Sequence, residues 1–145
     1  VSVQTETSPC ADSQTRLPRG TADPKPLIYI AAPYTQPDPA ANTHYVLQVA
    51  DALLKAGATP LVPHLSLLWH VVSPKPYDFW LAYDRELLIR CDAVMRIPGF
   101  SNGATDECRF AESLDIPVLT ARSAAVDDCV RVVRHWISNR EGVLT

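Results

Sequence analysis

Two carboxylates occupy positions where the hydrophobic pattern of this chain calls for apolar side chains. In "YDFWLAYDRELLIRC", residues 77–91, Tyr77, Leu81, Asp84, Leu88 and Cys91 recur at steps of four, three, four and three. That spacing puts them on one helical face, apolar except for Asp84. In "GFSNGATDECRFAESL", residues 99–114, Ala104, Glu107, Cys108, Ala111 and Leu114 share a second face, and Glu107 is its exception. An ionised carboxylate removed from water is costly unless it is paired or hydrogen-bonded. Two such exceptions on consecutive helices read as a candidate acid/base pair, because that chemistry needs two groups with separated proton affinities. The pattern also allows inert roles. Asp84 can cap a neighbouring helix or pair with Arg85, Arg90 or Arg96, and Glu107 can lie at a solvent rim because its helix has barely begun.

The turn before Glu107 adds a binding element. Ser101, Asn102 and Gly103 fall between a strand end and a helix start. A helix N-terminus offers unpaired N–H groups and a partial positive charge, and glycine admits close backbone approach. The combination suits a phosphate or a sugar hydroxyl. Its simpler role is N-capping by Ser101 or Asn102.

The elements that must position these groups can be read from the rest of the chain. Residues 27–33, "LIYIAAP", are a short apolar run ended by proline, as a fully buried strand requires. Residues 42–57 follow with a helical stripe of Val46, Val49, Ala50, Leu53 and Leu54, Asn42 as N-cap and Gly57 as the stop. "TPLVPH" is a second strand, "DAVMRIPG" a third and "IPVLTA" a fourth, while "LSLLWHVVSPKP" stays unassigned. Residues 124–140 form a last helix with Val126, Cys129, Val130, Val133 and Ile137 on one face. Alternating strands and helices predict an α/β fold: a Rossmann-like or flavodoxin-like open parallel sheet of four to five strands with helices on both faces. Ligands of such sheets bind beyond the carboxyl ends of the strands, here "AAPYT", "VPHLS" and "PGFSNG".

Composition narrows the function classes. A length of 145 residues predicts one domain, and a net charge of −3 gives no reason to expect a nucleic-acid polymer or an anionic membrane as partner. No apolar run approaches the roughly 18 residues of a membrane span, and no hydrophobic signal core is seen at the N-terminus. Cys10, Cys91, Cys108 and Cys129 show no metal-binding spacing. Cys91, Cys108 and Cys129 fall in apolar patterns and read as small buried hydrophobes in a reducing compartment, so the expected location is cytoplasmic. Residues 1–26 are rich in Ser, Thr, Pro and Asp and read as a flexible extension to a domain spanning 27–145.

The order "IYIAAPYT", Asp84, Asp92 eight residues on, and "IPGFSNGATDE" ending in Glu107 resembles the nucleoside 2-deoxyribosyltransferase family, including its nucleoside 5′-monophosphate N-glycosidase branch. Ser101, Gly103 and Glu107 match that family's last motif without a gap, and the resemblance runs over residues 27–119. It implies that Glu107 is the nucleophile at the anomeric carbon and Asp84 the acid/base, with a nucleoside or nucleotide as substrate, no cofactor, and a homodimer or larger homo-oligomer. It places Ala32, Tyr34, His64, Ser101, Asn102 and Gly103 around the substrate, with Tyr34 a candidate partner of the nucleophile or the sugar. Serine rather than aspartate at position 101 leans toward a 5′-phosphate. Asp92, at the start of a strand, is expected to be structural. His70 and Trp69 are further candidates to meet the base, and Trp80 is expected in the core. The chain departs from the family in lacking an arginine in "AAPYTQPDP", in Asp106 beside Glu107 and in "ECRFA". A non-catalytic nucleotide-binding module on the same sheet, or an α/β domain without a ligand, are the alternatives.

Overall fold

The computed structural model describes residues 24–143. The expected extension therefore lies almost wholly outside the described residues, as does Cys10. Four strands, β1 (Leu27–Ala31), β2 (Thr59–Leu61), β3 (Ala93–Arg96) and β4 (Val118–Thr120), form one sheet in the order β2-β1-β3-β4. Every pair is parallel. The helices are α1 (Pro39–Lys55), α2 (Ser66–Val72), α3 (Tyr77–Leu88), α4 (Asn102–Ser113) and α5 (Val126–Val143), with a short 3-10 turn at Pro63–Leu65. The segment without an assignment from sequence thus holds α2, while the turn takes up Pro63 and His64 of "TPLVPH", whose strand ends at Leu61 because Pro63 stops it. The α/β open parallel sheet is as the alternation predicts.

Strand β1 explains the layering. It is buried on both sides, so its alternate residues feed two cores. Ile28 and Ile30 join Val46, Val49 and Leu53 of α1 and Cys129, Val130 and Val133 of α5 on one face. Tyr29 and Ala31 face the other way, among Leu88, Ala104, Cys108 and Ala111 of α3 and α4. Both candidate carboxylates are carried by the helices of this second face.

Several details differ from the sequence reading. Asp38, not Asn42, caps α1, accepting from Ala40 N at 2.7 Å and Ala41 N at 2.9 Å, with Pro39 filling the first helical position. Asn42 instead donates its side-chain amide to Tyr34 O and Gln36 O, both at 2.8 Å, which pins the loop after β1. Tyr77, Leu114 and Leu54, expected on apolar stripes, are exposed at 65%, 46% and 50%, each lying in a terminal turn or cap of its helix. Gly57 ends α1 in the left-handed region at φ 94°, as its reading as a stop requires. Asp92 accepts from Leu27 N at 2.7 Å and lies 3.8 Å from Arg140, so it ties the start of β1 to β3 and meets a guanidinium of α5.

Candidate functional site

Strand order reverses between β1 and β3, and the crevice at that switch point is where an open parallel sheet receives ligands. Two devices shape its floor. Gly99 has φ 141°, and a Cβ there would come within 2.9 Å of Pro33 Cγ. Glycine lets the loops after β1 and β3 meet. Arg96 donates to Ile97 O and, at 2.8 Å, to Gly99 O, holding the second loop in place.

Above this floor lies a cavity of about 590 Å³. Asp84 and Glu107 both line it, together with Ala32, Tyr34, His64, Ser101, Asn102 and Gly103. These eight expected site residues therefore border one space, whereas Trp69, a further candidate to meet the base, does not line it and packs against Trp80 instead. His70, Lys75, Tyr77 and Trp80 from α2, α3 and their connection border it too.

The two carboxyls sit in different surroundings. Tyr29, fully buried on β1, donates its hydroxyl to Glu107 Oε1 at 2.7 Å. Burial pushes the Glu107 pKa up to about 7; the Tyr29 hydrogen bond and the more distant Arg96 pull it down, while Asp84 and Asp106 push it up. Burial alone pushes Asp84 up to about 7. Its Oδ1 is buried with no hydrogen-bond partner among the described residues. Tyr29 is itself driven far above the ordinary phenol range, first by burial and then by the charge on Glu107, so it remains a donor.

The inert pairing with arginine is absent among the described residues, where neither carboxylate enters an ion pair. Arg85 lies over the Phe110 ring at 5.0 Å, Arg90 pairs with Glu86 at 3.2 Å, and Arg96 serves backbone carbonyls. Asp106 lies 3.6 Å from Arg109.

Ser101 caps α4, accepting from Ala104 N at 3.1 Å. The cap engages a lone pair and leaves the hydroxyl hydrogen free to donate. Gly103 keeps this corner open, since a Cβ would stand 3.4 Å from the Tyr77 hydroxyl. His64 is 3% exposed; its Nε2 lies 2.9 Å from Pro33 O, and its ring meets Tyr34 edge-on at 5.3 Å. A carbonyl only accepts, so Nε2 carries the proton and the buried Nδ1 is a bare acceptor. Burial holds this ring's pKa below its ordinary value, which favours the neutral form.

Two expectations change. The partner of Glu107 is Tyr29 rather than Tyr34, because Tyr29 points from β1 into the face of the sheet that α4 covers. Trp80 is not core: it is half-buried within an aromatic group with Trp69, Phe79 and Tyr83 and borders the cavity. Tyr29 escaped the sequence reading, yet a signal existed. It is the lone hydroxyl in "LIYIA", a strand buried on both sides, and a buried phenol needs an acceptor.

Among the described residues no helix is long and apolar enough to cross a membrane, and no group of three or more His, Cys, Asp and Glu is arranged to hold a metal ion. A family model described as "Domain of unknown function (DUF7768)" matches residues 26–121, which takes in all four strands and the whole cavity lining. No curated protein matches the chain.

Proposed function

Since the chain belongs to this DUF7768 family, whose function is unknown, its chemistry must be argued from the site, and we propose that it cleaves the N-glycosidic bond of a nucleoside or nucleoside 5′-monophosphate. The observation that carries this reading is the asymmetry of the carboxyl pair. Burial raises both acids to about 7, so each can hold a proton near neutrality, and the charge of Asp84 adds to the rise at Glu107. Tyr29 donates to Glu107, whereas Asp84 Oδ1 has no partner among the described residues. On this reading the proton rests on Asp84 and the charge on Glu107, which has the hydroxyl to stabilise it.

That division suits double displacement. A Glu107 carboxylate oxygen attacks the anomeric carbon, forming an ester as the bond to the base breaks. The bond pair leaves with the base nitrogen, and the Asp84 acid gives the base its proton. Water or a second base then attacks the same carbon, yields its proton to Asp84, and returns Glu107 as carboxylate. Tyr29 orients the nucleophile through its 2.7 Å hydrogen bond. Ser101 and the N-terminus of α4 are placed to hold the sugar's 5′ end, where a hydroxyl donor and free N–H groups suit a phosphate. The resemblance to nucleoside 2-deoxyribosyltransferases points the same way.

This reading extends to assembly and setting. Leu65, Leu68, Val71 and Val72 around α2 are exposed, and a homo-oligomer would cover them beside the cavity. The buried free thiols Cys91, Cys108 and Cys129 suit a reducing cytoplasm.

The test is release of free base from a panel of ribo- and deoxyribonucleosides and their 5′-monophosphates. Release by the wild type that Glu107→Gln abolishes supports the proposal. Thermal stabilisation by nucleotides with no release from any compound overturns it in favour of a binding module.

A further inference from the structure

One wall of the cavity carries a histidine whose tautomer is fixed. His70 Nδ1 lies 2.8 Å from Trp80 Nε1 and 3.3 Å from the backbone N of Lys75. Both neighbours are N–H groups with no lone pair to give. Nδ1 is therefore the acceptor, and the ring proton sits on Nε2. Among the described residues no hydrogen bond engages Nε2.

His70 borders the cavity with Trp80 and Asp84. Trp80 and Asp84 stand four residues apart on α3, which is one turn, about 6 Å along the axis. The Trp80 bond thus sets His70 about one helical turn from the acid proposed to protonate the leaving base. The two residues border the same space, Asp84 with its acid and His70 with an Nε2–H that no hydrogen bond among the described residues takes up.

Building on the N-glycosidase reading above, we propose that His70 makes the site selective for 6-oxopurines, with the Asp84 acid at N7 and the His70 Nε2–H at O6. A 6-oxopurine presents N7 and O6 as adjacent acceptors on one edge. Adenine presents N7 beside an amino group, so its N–H meets the N–H of His70 and both donors go unpaired. Trp80 forbids the remedy of swapping tautomers, because Nδ1–H would then point at its own indole N–H. Discrimination of this kind amounts to about 10- to 100-fold.

The experiment compares 2′-deoxyinosine with 2′-deoxyadenosine, and their 5′-monophosphates, on the full chain. Wild type, His70→Phe and His70→Glu are each assayed for base release and for thermal stabilisation by the same compounds. Wild type is expected to favour the 6-oxo member of each pair about 10- to 100-fold in kcat/KM. His70→Phe, which loses the donor, brings the ratio close to one. His70→Glu, whose two oxygens can accept from both Trp80 and an amino group, reverses it. Equal or adenine-favouring turnover by the wild type overturns the inference, as does a preference that neither substitution moves. Should no compound release base, the N-glycosidase reading falls, and selectivity is judged by stabilisation alone. Stronger stabilisation by the 6-oxo compounds that His70→Glu reverses then upholds the recognition; equal or absent stabilisation overturns it.

Discussion

Glu107 and Asp84 are both acids that burial pushes up to about 7, yet among the described residues only Glu107 has a hydroxyl aimed at it. Tyr29→Phe isolates that difference. A hydrogen bond to a charged group is worth about 1.5–3 kcal/mol, so kcat/KM should fall roughly 10- to 100-fold. The acid limb of the pH profile should also move to higher pH, because the ionised nucleophile has lost its donor. An unmoved limb would show that Tyr29 only fills space. Asp84→Asn removes the proton donor, and base release should fall by about 10²-fold or more, most for substrates with poor leaving groups. A matched set of nucleosides with different base acidities checks this. The pair was legible from sequence because helical spacing exposed each carboxylate as an exception. Tyr29 was not, because a phenol within an apolar strand satisfies the same burial pattern as phenylalanine.

At the scale of elements, the crevice depends on loops that approach closely. Gly99 combines φ 141° with a Cβ position 2.9 Å from Pro33, whereas Gly57 has φ 94° and nothing within 4 Å. Gly99→Ala should therefore destabilise more than Gly57→Ala. The expected costs are about 2–4 kcal/mol against about 1 kcal/mol, read by urea unfolding. Equal losses would mean that the loop contact does not hold the floor. Apart from α2 and the 3-10 turn before it, strand and helix positions followed from periodicity, and Gly57 from its place after a stripe. The cap of α1 did not, since Asp38 and Asn42 both suit the role. Only the folded loop shows that Asn42 is needed at Tyr34 O and Gln36 O. Trp80 was misplaced for a related reason: a tryptophan on a helix looks the same whether it meets a core or a cavity rim.

For the whole molecule, the carboxyl pair couples stability to pH. Both groups have folded pKa values near 7, above their ordinary values of 3.8 and 4.5, so the folded chain binds more protons than the unfolded chain between about pH 4 and 7. Their contribution is present in full below about pH 4 and is lost as pH rises through 7. Asp84→Asn with Glu107→Gln should remove that slope and stabilise the fold at pH 8 by about 2–4 kcal/mol, after allowing for partial exposure. Urea unfolding at pH 5 and pH 8 checks the sign; a double variant less stable than wild type at pH 8 contradicts it. The central claim is that Glu107 carries the sugar as an ester. Its most direct test is intact-mass and peptide analysis of the protein after incubation with a 2′-fluoro-arabinosyl nucleoside, whose fluorine slows breakdown of such an ester. A mass increase equal to the fluorinated sugar, located on Glu107 and absent in Glu107→Gln, is the predicted result. Base release without any adduct, or an adduct on another residue, would contradict it.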